Sequence, residues 1–307
     1  MAEFKYSLHL SLISFILLAA IAAHVTSARV LHNHAHNKSS HIIFSQNLLG
    51  SRKGHNIQGI HHVKTYLKRY GYFTHTQSNA FDDHLESALK TYQKFFNLNV
   101  SGILDNETLS LMSQPRCAVP DIFHNETSTR KGWGHEEHLH MGSHYLFFPR
   151  TPKWPESKCR LRYSYYHDFP MAFKDPVNNA LELWSAYLQF GFVEVGEDDY
   201  WADLKISFEM GEHGDGHPFI PTSGVLAHAF APRDGRFHFN VEQCWTVGAR
   251  PNCQDVMSVA VHEIGHLLGL GHSGAEEAIM WPCIRPNAVK GLFQDNVAGI
   301  KALYGLP

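Results

Sequence analysis

Eleven residues near the C-terminal end constrain this chain more than any other feature: His262-Glu263-Ile264-Gly265-His266-Leu267-Leu268-Gly269-Leu270-Gly271-His272. On a helix, residues four apart share a face, so His262 and His266 can grip one metal ion. A continuous helix would carry His272 roughly 15 Å along the axis from His262, too far to share that ion. Gly269 offers the left-handed residue that ends a helix and lets His272 fold back as a third imidazole. Three nitrogen ligands with one open position describe a catalytic zinc, since a structural site is closed. Glu263, beside the first ligand, suits a general base that takes a proton from zinc-activated water and passes it to a leaving amine. That chemistry is peptide hydrolysis without a covalent enzyme intermediate. The bland alternative, a buried helix with incidental histidines, requires five fixed positions to coincide by chance.

Composition supports a metal protein. Of 307 residues, 24 are histidine, against 26 Lys+Arg and 29 Asp+Glu. The net charge of −3 leaves no basic surplus, so no nucleic-acid partner is expected. A hydrophobic content of 44% excludes wholesale disorder, and the length allows one medium domain and a smaller one.

Residues 1–28 read as a secretory signal: Glu3 and Lys5, an apolar stretch from Leu10 to Ala23, then Thr26-Ser27-Ala28. The stretch is too short for a membrane span, and no other approaches the roughly 20 apolar residues required. The tail Ala302-Leu303-Tyr304-Gly305-Leu306-Pro307 carries no lipid-anchor signal, so a secreted protein without a membrane anchor is expected. Sequons at Asn37, Asn99, Asn106 and Asn125 fit export and would make a glycoprotein. Of five cysteines, Cys117, Cys159, Cys244, Cys253 and Cys283, an oxidising compartment can pair four and leaves one thiol to explain.

Residues 29–56, rich in histidine and lacking periodicity, are expected to be a flexible spacer. From Ile57 the apolar spacing turns helical through Ile60, Val63, Leu67, then Phe81, Leu85, Leu89, Tyr92, with a third segment led by Asp105. These make a three-helix bundle within residues 57–121, and the polar, glycine-bearing residues 122–144 form a linker. Residues 145–307 are the larger domain. Strands are expected at Leu161–Tyr166, through Leu204, Ile206, Phe208 and Met210, at Val225–Phe230 and at Arg236–Asn240. Asp175-Pro176 should cap a helix bearing Ala180, Leu181 and Trp184; Asp255 should cap one through Leu268, and Asp295 should open a last one through Tyr304. Strands and helices are mixed, and strands can follow strands without helical crossovers, so the class is α+β.

At these residues the chain resembles the metzincin metallopeptidases, and Ser273 after the third histidine is similar to their matrixin branch. The resemblance implies a mixed twisted sheet with three helices behind the small bundle. Ala278-Ile279-Met280-Trp281-Pro282 resembles the family's Met-turn, in which Met280 floors the zinc ligands. Pro115–Asp121 resembles the matrixin cysteine switch, with Ala118 where the family has Gly. By that resemblance Cys117 is the inhibitory zinc ligand of a latent zymogen, and Arg116 and Asp121 pair to hold the loop. This accounts for the odd thiol, and Ala118 is expected to weaken latency by adding a methyl group beside the ligand. Residues 57–121, switch included, resemble the peptidoglycan-binding-like propeptide of matrixins, and Arg130-Lys131 offers a basic site for an activating protease.

His213-Gly214-Asp215, His228 and His238 match the matrixin structural zinc, whereas His217 is expected to be a surface residue. Two zinc ions are therefore expected. At the family's calcium site the chain has Ile220, Asn240 and Gln243 where carboxylates belong, so calcium is expected to be absent or weak. A disulfide between Cys244 and Cys253 could brace that loop instead; Cys159 with Cys283 would complete the count, though sequence leaves the pairing open. The layout of propeptide and catalytic domain looks like plant matrixins. That implies a monomer in the apoplast or extracellular matrix that cuts extracellular or cell-wall proteins. Two alternatives stand beside it: a metal-binding pseudoenzyme, and a wall-binding interaction protein.

Overall fold

The helical periodicity of the N-terminal part becomes three helices: α1 (Ile60–Arg69), α2 (Asp83–Phe95) and α3 (Asn106–Met112). The computed structural model describes residues 44–75, 78–123, 144–221 and 223–307, all within the unit Ser39–Pro307. The signal, the first part of the histidine-rich spacer, Asn37, Asn125 and most of the linker with Arg130-Lys131 lie outside the described residues. Asp82 and Asp105 cap α2 and α3, each carboxylate accepting an amide proton at 2.8 Å, from Leu85 and Thr108. Ile60, Val63, Leu67, Leu85, Leu89 and Tyr92 face inward and are completely buried.

Residues 44–56, expected to be part of a flexible spacer, instead pack on the bundle. Phe44 and Leu48 are apolar enough to join the bundle core, Phe44 meeting Tyr66 edge-on at 5.9 Å. Gln46–Leu48 form a turn of 3-10 helix, and Ser51 and Asn56 bridge Leu104 and Ala80.

The C-terminal part opens with β1 (Tyr145–Phe147) and a five-stranded sheet: β2 (Arg160–Tyr165), β3 (Gly191–Glu194), β4 (Leu204–Glu209), β5 (Ala227–Ala229) and β6 (Arg236–Asn240). The order is β3-β2-β4-β6-β5, parallel except for the antiparallel edge strand β5. Three helices complete it: α4 (Met171–Ser185), α5 (Val256–Leu267) and α6 (Gln294–Tyr304). Leu161, Leu204, Ile206, Phe237 and Phe239 of the sheet share one core with Val177, Leu181 and Trp184 of α4 and with Val259 and Ile264 of α5. Trp184 Nε1 donates to the Val261 carbonyl at 2.8 Å, tying α4 to α5. No helix among the described residues is long and apolar enough to cross a membrane.

Several boundaries differ from the sequence reading. Helix α4 starts at Met171 with Pro170 as its cap, so Pro176 lies inside the helix instead of opening it. The carbonyl that Pro176 cannot serve belongs to Ala172, an exposed residue where water can replace the lost bond. Met210 is 58% exposed just past the end of β4. Phe293, not Asp295, precedes α6; Asp295 instead accepts from Ser273 Oγ at 2.8 Å and from the His144 amide at 2.9 Å. Cys244 and Cys253 are joined, flanking the short strands β7 (Trp245–Thr246) and β8 (Gln254–Asp255). Cys159 and Cys283 are not: Cys159 is exposed before β2, while Cys283 is buried among core residues of the N-terminal bundle.

Helix α5 is buried at every residue except Met257, as an apolar helix in a core should be. Asp255 caps it, accepting from the Ser258 amide at 2.9 Å and the Ser258 hydroxyl at 2.6 Å. It ends at Gly269, whose φ of +106° turns the chain into β9 (Leu270–Ser273), paired antiparallel with β1. A Cβ on Gly269 would lie 2.3 Å from the Pro152 carbonyl oxygen and 2.9 Å from Leu303 Cδ2. Gly269→Ala should therefore cost roughly 2 kcal/mol or more. Denaturant unfolding should show a lower midpoint at unchanged slope; an unaltered midpoint would show that the turn does not need glycine.

Candidate metal centre

Helix α5 and strand β9 bring His262, His266 and His272 together, each completely or almost completely buried. His266 Nε2 lies 3.2 Å from His262 Nε2 and 3.2 Å from His272 Nε2. Each ring spends its Nδ1 proton elsewhere: His262 on the Ile279 carbonyl at 2.7 Å, His266 on the Leu270 carbonyl at 2.8 Å, His272 on Asp121 Oδ1 at 2.7 Å. The three Nε2 lone pairs consequently face one another with no proton between them. Burial, and for His262 and His266 the neighbouring rings, hold the imidazoles below their usual pKa, in the neutral form that binds metal. A tetrahedral zinc with bonds of about 2.0–2.1 Å puts its ligands roughly 3.3 Å apart, so this donor set fits zinc.

The Cys117 thiol closes the group. Its Sγ lies 3.5 Å from His266 Nε2, and all four ligand atoms lie within 4.8 Å of one another. Burial, then the neighbouring Glu263, push this thiol well above its usual pKa, so a thiolate here calls for a cation. Glu263 is itself fully buried, and neither carboxylate oxygen has a hydrogen-bond partner in the described protein. Burial raises its pKa to about 8, with Cys117 easing the shift. Met280 packs below: a Cβ on Gly265, between the two helical ligands, would come 2.3 Å from Met280 Sδ.

The segment bearing Cys117 is pinned on both sides by backbone bonds. The Arg116 amide donates to Gly224 O, the Leu226 amide to Arg116 O and the Ala118 amide to Ala227 O, each at 2.9 Å. On the other side the Cys117 amide reaches Pro282 O at 3.0 Å and the Ile284 amide reaches Pro115 O at 3.2 Å. Ala118 keeps a negative φ, so its methyl group adds no backbone strain. Arg116 is fully buried and donates to Asp121 Oδ1 at 2.6 Å and to the Tyr66 hydroxyl at 3.3 Å, with its guanidinium 3.5 Å from the centre of the Tyr70 ring. Against a burial that would raise it, Arg116 and His272 hold the Asp121 carboxyl below its usual pKa.

A second cluster forms around Asp215. Its Oδ2 lies 2.9 Å from His213 Nε2, 2.6 Å from His228 Nε2 and 3.1 Å from His238 Nδ1. His213 Nδ1 donates to the Gly211 carbonyl at 2.9 Å, which turns its Nε2 toward Asp215. Three imidazoles and one carboxylate suit a closed tetrahedral zinc. Burial, partly offset by Asp215, draws His228 down to about 3 and His238 to about 4. His217 is exposed and gives only its backbone amide, to Asp215 Oδ1 at 2.7 Å. At the expected calcium position Ile220 is 56% exposed, while the buried Asn240 uses its amide to hold Val225 O at 2.8 Å.

The structure brings the residues named from sequence together in two clusters, Cys117 with His262, His266 and His272, and Asp215 with His213, His228 and His238. What sequence missed is the support: the Ile279 and Leu270 carbonyls, the contact of Asp121 with His272, and the tyrosines around Arg116. Backbone acceptors leave no mark in residue identity, and the tyrosines read as ordinary core positions.

A chain with this fold and these clusters is a metallopeptidase of the matrixin family: the matrixin model matches residues 153–305, and a peptidoglycan binding domain model matches residues 57–112. It is 39% identical to Metalloendoproteinase 2-MMP of Arabidopsis thaliana, over 84% of this chain and 74% of that protein. With Metalloendoproteinase 1 of Glycine max it shares 41% identity over 82% of this chain and 84% of the relative; with human Matrilysin the figures are 36%, 79% and 84%. Matrixins are zinc enzymes, and this chain is a matrixin-type zinc metalloendopeptidase.

Arg116→Ala should strip Asp121 of its principal charge partner and cost on the order of 3 kcal/mol in the docking of this segment. Alkylation of Cys117 by iodoacetamide in the intact chain should then accelerate at least about tenfold. An unchanged rate would show that the ion pair does not hold the segment.

Proposed function

We propose that this chain is a secreted, latent endopeptidase whose catalytic zinc is held by His262, His266 and His272. The reading rests on one observation above all: three bare, buried Nε2 atoms converge beside an unpartnered carboxylate and the Cys117 thiol. Zinc bound there supplies a Lewis acid for the scissile carbonyl and acidifies water at neutral pH. Glu263 takes the proton from the attacking water and delivers it to the departing amine. Its burial suits a group that must hold that proton between the two events. Met280 floors the ligands, and His213, Asp215, His228 and His238 hold a second, structural zinc.

In the latent form Cys117 fills the position that water needs, with Arg116 and Asp121 holding its loop. The substrate is an extended polypeptide, since an extended segment already lies between Gly224–Ala227 and Pro282–Ile284 through backbone bonds. The assigned parts are a leader at 1–28, a propeptide at 57–121, a linker at 122–144 open to an activating protease, and a monomeric catalytic domain at 145–307. Its targets are extracellular or cell-wall proteins. Calcium at the position of Ile220, Asn240 and Gln243 is weak or absent, since these residues offer no carboxylate.

Glu263→Ala should lower peptide cleavage by the processed protein about 10²- to 10⁴-fold while leaving its zinc content unchanged. Cleavage that persists at wild-type rate with zinc bound would remove Glu263 from the reaction. Cleavage insensitive to a zinc chelator would remove the metal.

A further inference from the structure

The three imidazoles are supported from behind in unequal ways. His262 and His266 give their Nδ1 protons to carbonyls of the C-terminal part itself, those of Ile279 and Leu270. His272 gives its proton to Asp121 Oδ1 at 2.7 Å, a carboxylate 151 residues earlier in the chain, on the segment that carries Cys117. Asp121 is buried and braced: Arg116 donates to the same Oδ1 at 2.6 Å, and the Tyr72 hydroxyl donates to Oδ2 at 2.9 Å. Among the described residues it is the partner of His272 Nδ1.

We propose that Asp121 is a positioning residue of the zinc site, so that the latent chain holds its zinc more tightly than the processed domain does. The inference rests on the zinc reading given above. A carboxylate behind a ligating imidazole fixes its tautomer and ring orientation and makes it a stronger ligand, an effect typically worth 10- to 100-fold in metal affinity. The N-terminal part thus touches the metal twice, through Cys117 Sγ directly and through Asp121 by way of His272. Whatever these contacts add to zinc affinity, zinc adds equally to the docking of that segment. Activation removes both, and the His272 Nδ1 proton passes from a charged acceptor to water.

The test uses the zinc-loaded full chain with ¹⁵N-labelled histidine. Asp121→Asn should move the His272 Nδ1 proton resonance upfield and leave those of His262 and His266 in place. Zinc loss to excess pyridylazoresorcinol, read in the phase that His272→Ala abolishes, should speed up about 10- to 100-fold. Since Asp121→Asn also loosens Arg116, Tyr72→Phe serves as the milder probe. It takes one donor from Asp121 and should shift the His272 proton further downfield with the fold intact. An unmoved His272 proton in both variants, with zinc bound, overturns the inference. A wild-type chain with no zinc at the three histidines overturns the underlying reading as well.

Discussion

Three imidazole lone pairs turned toward one another in a protein interior repel unless a cation lies among them, and the rest of this structure serves to hold them in that position. Helix α5 is capped by Asp255 and almost completely buried by the sheet and α4. Gly269 ends the helix one residue after its C-cap and returns His272 to the other two rings. Gly265 leaves room for Met280 underneath. Each Nδ1 is committed to an acceptor, which leaves the Nε2 atoms free to ligate.

The two halves of the chain meet through shared packing as well as through Cys117. Trp281 and Cys283, just beyond Met280, belong to the hydrophobic cluster of the N-terminal bundle, with Phe96 edge-on to Trp281 at 4.9 Å. Arg116 is fixed by Tyr66 and Tyr70 of the same bundle as well as by Asp121. The bundle thus packs beside the short segment that bears Cys117, which backbone bonds hold between Gly224–Ala227 and Pro282–Ile284.

The parts of this arrangement that were legible in the sequence are those in which spacing and residue type carry the physics. His262 and His266 at four-residue spacing, Gly269 at the stop and Asp255 at the start can each be read without coordinates. Family resemblance supplied what spacing could not: the expectation that Cys117 lies at the three histidines and Arg116 beside Asp121, and the grouping of His213, Asp215, His228 and His238 from separated stretches. Tertiary context governed the remainder. Pro176 is tolerated inside α4 because the carbonyl it leaves unserved is exposed, and Phe44 and Leu48 join the bundle because its core takes them up. Cys283 stays unpaired because it is buried at the junction of the two parts, away from Cys159.

The central claim is that Cys117 Sγ takes the fourth place beside three imidazoles on one zinc. Zinc-edge X-ray absorption of the latent full chain tests it most directly, since sulfur and nitrogen scatter at different distances. The account predicts one sulfur near 2.3 Å for every two zinc ions, with the remaining ligands nitrogen or oxygen at about 2.0–2.2 Å. A first shell of nitrogen and oxygen alone, with both ions bound, would contradict it.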